Sequence, residues 1–191
     1  SISNVLNYAV RKGLVESNPA KGLDLRPYGK KALRRRPFPE TMLRKLFQLE
    51  LPDDIRMLWV ILITTGMRLD EAALLSQSDI KVEKGIRYFD LTEALVKNAG
   101  SARKVPIPDV VIEPLDKYVK CRTSLRLFDF PLNADGKAQN AASKKSMRFI
   151  RKVTLDHALV THSLRHSFKD MCRDAGVPED LHDFITGHSG G

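Results

Sequence analysis

His162-Ser163-Leu164-Arg165-His166 places two imidazoles and one guanidinium within little more than a helical turn. Residues at spacings i, i+3 and i+4 share one face of a helix, so His162, Arg165 and His166 are predicted to project to the same side. A guanidinium there can hold two phosphate oxygens at once, while a neighbouring imidazole can move a proton near neutral pH. The pentapeptide therefore predicts a phosphate-binding site, in which we interpret His166 as a supporting, hydrogen-bonded residue.

The same histidines raise the alternative of a zinc site with His188 as a third ligand. Ser163 stands where the corresponding helix of a metalloprotease carries Glu, and no acidic or thiol ligand has matching spacing. The sequence therefore predicts no metal and no cofactor.

A second cationic position lies far upstream, in Thr65-Gly66-Met67-Arg68-Leu69-Asp70-Glu71. The pattern predicts a turn that presents Arg68 at the start of a helix, where backbone N–H groups also favour an anion. We interpret Glu71 as a supporting residue that orients or neutralises a nearby arginine.

Composition limits the classes of function. The 191 residues include 32 Lys and Arg against 23 Asp and Glu, a formal net charge of +9. This excess favours a polyanionic partner such as nucleic acid, although a solvated basic surface fits the charge alone equally well. The sequence has no run of the about 20 apolar residues that a membrane helix needs, and its start resembles the interior of a longer protein rather than a signal peptide. Two cysteines are too few for a disulfide framework, so we expect a cytoplasmic protein with free thiols.

Hydrophobic spacing predicts a mainly α protein with one small antiparallel β-sheet or hairpin (α+β). Periods of three to four residues predict helices near 1–15, 39–49, 53–62, 69–75, 110–121, 142–155, 163–175 and 179–186. Two β-like runs, 86–91 and 103–107, flank the turn-forming residues 98–101 and predict a hairpin. Lys97 stands just before that turn, where a flexible ammonium can reach a bound strand.

Two basic segments are candidate contacts with DNA. Residues 22–39 lose the apolar pattern and contain several prolines, which favours a linker along a phosphate backbone but fits a flexible charged tether as well. The helix predicted near 142–155 is basic on its exposed side. The candidate DNA-binding residues are Lys30, Lys31, Arg34, Arg35, Arg36, Arg103, Lys144, Lys145 and Arg148.

Four ordered elements resemble the catalytic domain of the tyrosine recombinases, the phage integrase family. They are an arginine box at 65–71, a lysine hairpin at 97–106, a second box at 162–166, and Gly187-His188 at the family's His/Trp position. The resemblance implies a tyrosine recombinase catalytic-domain fold over residues 38–191. It further implies the last helix of an incomplete core-binding domain at 1–22 and an interdomain linker at 23–37.

The resemblance also implies a substrate and a mechanism. The substrate would be double-stranded DNA, cut and rejoined through a 3′-phosphotyrosyl intermediate by a tetramer assembled on the DNA. Arg68 and Arg165 would stabilise charge on the phosphate, and Lys97 would protonate the departing 5′ oxygen. His162 would act as general base or acid, and His188 would hydrogen-bond a non-bridging oxygen.

The sequence differs from the family pattern at the nucleophile. In the family it follows shortly after the position of His188, whereas Tyr8, Tyr28, Tyr88 and Tyr118 all lie outside that motif. We therefore expect these 191 residues not to form the covalent intermediate, and a longer parent to do so. Three alternatives stay open at this point: a non-catalytic DNA-binding module of the same fold, a type IB topoisomerase-like enzyme, and a basic interaction protein without a DNA role.

Overall fold

The computed structural model describes residues 2–23, 33–92 and 101–187, and the chain divides into two compact units, Ser1–Leu33 and Arg34–Gly191. The first unit holds helix α1 (Ile2–Arg11) and a segment that returns along it. The side-chain amide of Asn18 fixes this segment by donating to the main-chain and hydroxyl oxygens of Ser3 at 3.2 and 3.0 Å. α1 buries none of its residues, so its apolar side chains lie on the surface of the described part of this unit.

The second unit is mainly helical, which confirms the predicted fold class. Its helices are α2 (Glu40–Gln48), α3 (Asp53–Thr65), α4 (Leu69–Leu74), α5 (Asp109–Lys120), α6 (Gln139–Val153), α7 (Ser163–Asp174) and α8 (Glu179–Thr186). The last of these begins and ends at the predicted residues, because Pro178 and Gly187 flank it and Gly187 adopts a left-handed φ of 67°. No helix among the described residues is long and apolar enough to cross a bilayer.

The sheet has three antiparallel strands in the order β1 (Ile80–Glu83), β2 (Ile86–Leu91) and β3 (Arg103–Pro106). The predicted strands 86–91 and 103–107 correspond to β2 and β3, whereas β1 is not among the predicted strands: Ile80-Lys81-Val82-Glu83 alternates apolar and charged residues, but the run is only four residues long and its last three residues are exposed. Along β3, Arg103 and Val105 are buried while Lys104 and Pro106 are exposed. Since successive side chains of a strand point to opposite faces, Arg103 is directed inward together with Val105.

Helix α3 forms the centre of the unit and buries seven of its residues, among them Trp59 and Leu62. It ends at Gly66, whose φ is 62°, and a Cβ at this position would lie 2.3 Å from the ring of Phe168 on α7. A side chain at residue 66 would therefore be strained and would collide with α7. This close approach brings the turn that carries Arg68 next to the helix that carries Arg165.

Helix α6 is fixed beside the same turn by two polar contacts. The indole Nε1 of Trp59 donates to the hydroxyl of Ser146 at 3.1 Å, and both side chains are fully buried. At the start of α6, the backbone N–H groups of Ala138 and Gln139 donate to Oδ1 of Asp70 at 3.1 and 3.0 Å. A carboxylate at this place satisfies unpaired amides and complements the positive end of the helix dipole. The basic helix α6 is thereby anchored to α4.

Candidate phosphate-binding cleft

Two adjoining depressions in the second unit share Arg35, His162 and Arg165. The first, here named the arginine cleft, has a volume of about 620 Å³. Its polar lining consists of Arg35, Arg68, Asp70, Glu71, Asp135, Lys137, Gln139, Ser143, Thr161, His162 and Arg165. The second, named the basic groove, has a volume of about 570 Å³. It is lined by Arg34, Arg35, Arg36, Pro37, His162, Arg165, His166, Lys169, Asp170 and Arg173.

Glu71 is a buried carboxylate that holds two arginines. Its Oε1 accepts from Nη1 of Arg68 at 2.8 Å, and its Oε2 accepts from Nη2 of Arg103 at 2.9 Å. The backbone N–H of Arg68 also donates to Oε2 at 2.9 Å, which closes the first turn of α4. Burial would raise the pKa of Glu71, but the hydrogen bonds and charge of Arg103 and the hydrogen bonds of Arg68 outweigh it and lower that pKa. Glu71 is therefore ionised, as the sequence-based interpretation of an arginine-orienting residue requires.

Arg165 is 5% exposed and points from α7 into the arginine cleft. Its Nη1 donates to the carbonyl oxygens of Gly66 and Thr186 at 2.5 and 2.7 Å. Burial and the nearby positive charge of Arg68 lower the pKa of Arg165 to about 10, which leaves the guanidinium charged at neutral pH. Two carbonyls from separate elements thus fix the plane of a cation that borders open space.

The C-terminal end of α8 is the common anchor of three arginines. The carbonyl of Ile185 accepts from Nε of Arg103 at 2.7 Å, and that of Gly187 accepts from Nη2 of Arg68 at 2.6 Å. The carbonyl of Thr186 accepts from Arg165, as described above. The last carbonyls of a helix lack partners within the helix and carry its partial negative charge, so guanidinium groups are favourable there. Arg68 and Arg165 are 97 residues apart in sequence. Their guanidinium groups nevertheless donate to the carbonyls of Gly187 and Thr186, two consecutive residues at the end of α8.

His162 lies at the junction of the cleft and the groove. Its ring packs edge-on against the ring of His166, with centroids 4.9 Å apart and planes at 90°. The residue is exposed on one side, yet partial burial of the ring and the positive charges of His166, Arg165 and Arg68 lower the pKa of His162 to about 4. Burial and the charge of Arg165 also lower the pKa of His166. Both imidazoles are therefore neutral at neutral pH, and a neutral imidazole has one nitrogen that can accept a proton.

The predicted site residues differ in where the structure places them. Arg68, Glu71, His162, Arg165 and His166 lie together around the cleft and groove. Lys97, His188, Lys30 and Lys31 lie outside the described residues, so their roles stay predictions.

The predicted DNA contact at Arg103 does not fit the structure. The side chain of Arg103 is 3% exposed in its ion pair with Glu71, because β3 turns it toward the interior. A buried guanidinium with Glu71 and two carbonyls as partners is a scaffold group and has no open face for a phosphate.

The other predicted DNA contacts are mostly on the surface. Arg34, Arg35 and Arg36 are exposed and line the basic groove. Lys144 and Arg148 are exposed on α6, and Lys152 continues the same spacing of four residues. Two of these cations have acidic partners: Lys145 forms an ion pair with Asp54 at 2.5 Å, and Arg36 forms one with Asp156.

Sequence reasoning missed several residues of the two depressions. Lys137 and Gln139 precede and open α6 at the rim of the arginine cleft, and Lys169 and Arg173 extend the basic groove along α7. Lys169 and Arg173 follow Arg165 at spacings of four and eight residues, which places them on the same helix face. This spacing is the signal in the sequence that could have identified them.

Two tyrosines of this unit lie away from the cleft. The hydroxyl of Tyr118 donates to the carbonyl of Leu127 at 2.8 Å, and burial raises its pKa to about 12. Tyr88 lies on β2, where the ammonium of Lys104 stands 5.1 Å from the centre of its ring. Neither residue lines the cleft or the groove. Within the described part of the chain, no group of three or more His, Cys, Asp and Glu side chains is arranged to hold a metal ion.

Comparisons with family models and with known proteins agree on one family. The model of the phage integrase family matches residues 42–190. The tyrosine recombinase XerC of Shewanella sp. (strain W3-18-1) is 27% identical over 195 residues, covering 95% of this chain and 60% of the recombinase. The chain therefore spans 60% of the length of that relative.

Solved structures show the same fold at low identity. The integrase of transposon Tn1549 in complex with circular intermediate DNA has a TM-score of 0.69 at 20% identity, covering 98% of this chain and 68% of that one. A lambda integrase tetramer bound to a Holliday junction has a TM-score of 0.67 at 17% identity, covering 99% of this chain and 56% of that one. The match of the family model, over residues 42–190, contains the arginine turn, the sheet and helices α3 to α8. The chain therefore belongs to the phage integrase family.

Proposed function

We propose that the whole protein is a site-specific DNA recombinase that cuts and rejoins double-stranded DNA through a 3′-phosphotyrosyl intermediate. The observation that carries this proposal is the convergence of Arg68 and Arg165 on adjacent carbonyls at the end of α8, with His162 beside them. Membership of the phage integrase family and similarity to a tyrosine recombinase support it.

In the proposed reaction, a tyrosine oxygen attacks the phosphorus of a DNA phosphodiester. The bond from phosphorus to the 5′ oxygen breaks as the bond from tyrosine to phosphorus forms, so the DNA chain is opened without a net change of oxidation state. His162 accepts the tyrosine proton, and Lys97 gives a proton to the 5′ oxygen as it leaves. Rejoining is the reverse, with the 5′ hydroxyl as nucleophile.

The two arginines act on the charge that develops on the phosphate. A phosphoryl group under attack spreads negative charge over its non-bridging oxygens, and cations fixed in advance around it lower the barrier. Arg68 and Arg165 are held by Glu71 and by backbone carbonyls, so they need no reorganisation when the phosphate arrives. This chemistry does not require a metal ion, because side chains supply the positive charge. His188 is assigned a hydrogen bond to a non-bridging oxygen by its match to the family.

DNA is proposed to follow a continuous basic track. The basic groove presents Arg34, Arg35 and Arg36 on one side of His162. On the other side, the arginine cleft ends at α6, whose exposed cations Lys144, Arg148 and Lys152 form a stripe. One strand lying across His162 would place consecutive phosphates along this track. By similarity to the lambda integrase tetramer, the active assembly is proposed to be a tetramer on DNA in the cytoplasm.

The track makes the affinity for DNA strongly dependent on salt. If about six phosphates are contacted, the affinity for a duplex should fall about 10³-fold between 50 and 200 mM salt, because each contact releases condensed counterions. Fluorescence anisotropy of a labelled duplex at several salt concentrations measures the slope of log affinity against log salt concentration. Removing Lys144 and Arg148 together should lower that slope by about 1.8, since each contact contributes about 0.9.

Lys117→Ala is the matched control for that measurement. Lys117 is an exposed lysine of α5, a helix that lines neither depression, and it pairs only with Glu113 among the described residues. Its removal should leave the salt slope unchanged. A drop of about 0.9 in the slope on removing Lys117, half that of the α6 pair, would show that binding follows total charge and not the proposed track.

Covalent chemistry is tested with a nicked suicide duplex, from which the cut fragment diffuses away and so prevents rejoining. The whole protein should become linked to the DNA through a phosphotyrosine. DNA binding without any adduct would instead support a non-cleaving DNA-binding module of this fold.

The low pKa of His162 gives a test that does not depend on cleavage. The ring protons of His162 should titrate with a midpoint near 4, well below the usual 6.5, when followed by NMR in the unbound protein. A bound duplex should move the midpoint upward, because phosphate charge stabilises the imidazolium. A His162 midpoint unaffected by DNA would place the phosphate away from this residue.

A further inference from the structure

Arg103 makes contacts that connect three separate parts of the site. Its Nη2 and Nη1 donate to the two oxygens of Glu71 at 2.9 and 3.3 Å, and its Nε donates to the carbonyl of Ile185 at 2.7 Å. Nη1 also donates to the carbonyl of Ser101 at 2.9 Å, at the return of the lysine hairpin. One guanidinium thus links the hairpin, the carboxylate that holds Arg68, and the end of α8.

The fit between Arg103 and Gly187 is close. Gly187 has a left-handed φ of 67°, and a Cβ at this position would lie 2.6 Å from Nη1 and 2.8 Å from Cζ of Arg103. The guanidinium therefore occupies the space that any side chain at residue 187 would need. The carbonyl of the same residue accepts from Arg68 at 2.6 Å, so Gly187 lies between two arginines.

Arg68 and Arg103 compete for one carboxylate. The guanidinium of Arg68 donates to Oε1 of Glu71, and that of Arg103 donates to both carboxylate oxygens, so the position of the carboxylate depends on both cations. Without Arg103, Glu71 would be free to turn fully toward Arg68, and the end of α8 would lose one of its three guanidinium partners. Either movement would displace the Arg68 guanidinium relative to Arg165.

We propose that Arg103 is a positioning residue for the cleavage reaction: it fixes Glu71 and the end of α8, and through them the guanidinium of Arg68. Arg103 acts without touching DNA, since its side chain is buried. This inference rests on the proposed recombinase function. It adds a residue whose role is to hold the Arg68 guanidinium in position relative to that of Arg165.

The test separates binding from chemistry in the whole protein. Arg103→Lys keeps the charge but loses the planar fork that bonds Glu71 and Ile185 together. The single-turnover cleavage rate at saturating DNA should fall about 10- to 100-fold, as is typical when a group that orients a directly acting residue is changed. The Kd for the duplex should stay within about threefold of the unaltered value, because no phosphate contact is lost. Lys117→Ala, an exposed lysine of α5 that lines neither depression, should change neither quantity.

Gly187→Ala provides an independent variant that keeps Arg103. Its added methyl group should push the guanidinium from its place and lower the cleavage rate with little change in Kd. Since both variants disturb one contact, the double variant should lose less than the product of the two single losses. Thermal melting of each variant shows whether the protein is folded at the assay temperature.

The outcomes are distinct. No adduct with the unaltered protein would overturn the recombinase function itself. Normal cleavage by a folded Arg103→Lys protein, or by Gly187→Ala if the first does not fold, would overturn the positioning role while the function stands. Parallel losses of cleavage and binding in Arg103→Lys would also overturn it, since they would indicate a DNA contact.

Discussion

Arg165→Ala should lower the rate of DNA cleavage by about 10²- to 10³-fold, the loss typical of removing one fixed donor from a site of developing charge. The guanidinium is buried, and Nη1 is committed to the carbonyls of Gly66 and Thr186. These two bonds hold the rest of the guanidinium toward the arginine cleft, where it can meet a phosphate. Arg165→Lys should recover only a small part of the rate, because an ammonium cannot bond both carbonyls and present a planar pair of donors.

The rate is measured as adduct formed in a single turnover on a nicked suicide duplex, with anisotropy for binding. Binding should change far less than the rate, since the groove and the α6 stripe keep their cations. Arg44→Lys, an exposed arginine of α2 paired with Glu40, is the matched control and should leave both unchanged. If Arg165→Ala weakens binding as much as it slows cleavage, Arg165 contributes general affinity and is not a stabiliser of the transition state.

The sequence contained the signals for most of the helices and for the two arginine boxes. Pro178 and Gly187 delimit α8 where local backbone preferences require, and the apolar spacing around Trp59 identifies the central helix. The face shared by His162, Arg165 and His166 follows from helical geometry alone. These features depend on interactions between residues close in sequence, which a pattern can report.

The features that the sequence did not reveal depend on distant contacts. Arg68 bonds the carbonyl of Gly187, 119 residues away, and no local pattern identifies a backbone carbonyl as the partner. Arg103 is a predicted DNA contact that the structure buries. Its spacing of two from the apolar Val105 indicates the inward direction, because alternate residues of a strand share one face.

The same limit applies to the basic helix. Counting charges on α6 cannot separate Lys144, which is exposed, from Lys145, which pairs with Asp54 on α3. One step along a helix turns a side chain by about 100°, so adjacent lysines face different neighbours. Only the packing of α6 against the rest of the unit decides which of them is available to DNA.

Glu71→Gln should reduce the free energy of unfolding by about 3–5 kcal/mol, the usual result of removing one partner from a buried ion pair. Glu71 is 2% exposed and neutralises Arg68 and Arg103 together. Its amide replacement keeps the shape and loses the charge, so a buried guanidinium at Arg103 remains without its counterion. Urea denaturation of both proteins measures the difference. Glu40→Gln, which breaks an exposed pair, should change stability by less than about 1 kcal/mol.

The pH dependence of this difference has a definite sign. The pKa of Glu71 is lowered in the folded protein, so its carboxylate stabilises the fold above the pKa of the unfolded chain, and this contribution is lost as pH falls through the folded value. The gap between the unaltered protein and Glu71→Gln should therefore be constant near neutral pH and shrink in acid, below the usual glutamate range. Subtracting the two curves cancels groups such as His162 that titrate in both proteins. A gap that widened in acid would mean that Glu71 is protonated in the fold, and the carboxylate could not then hold the two arginines as described.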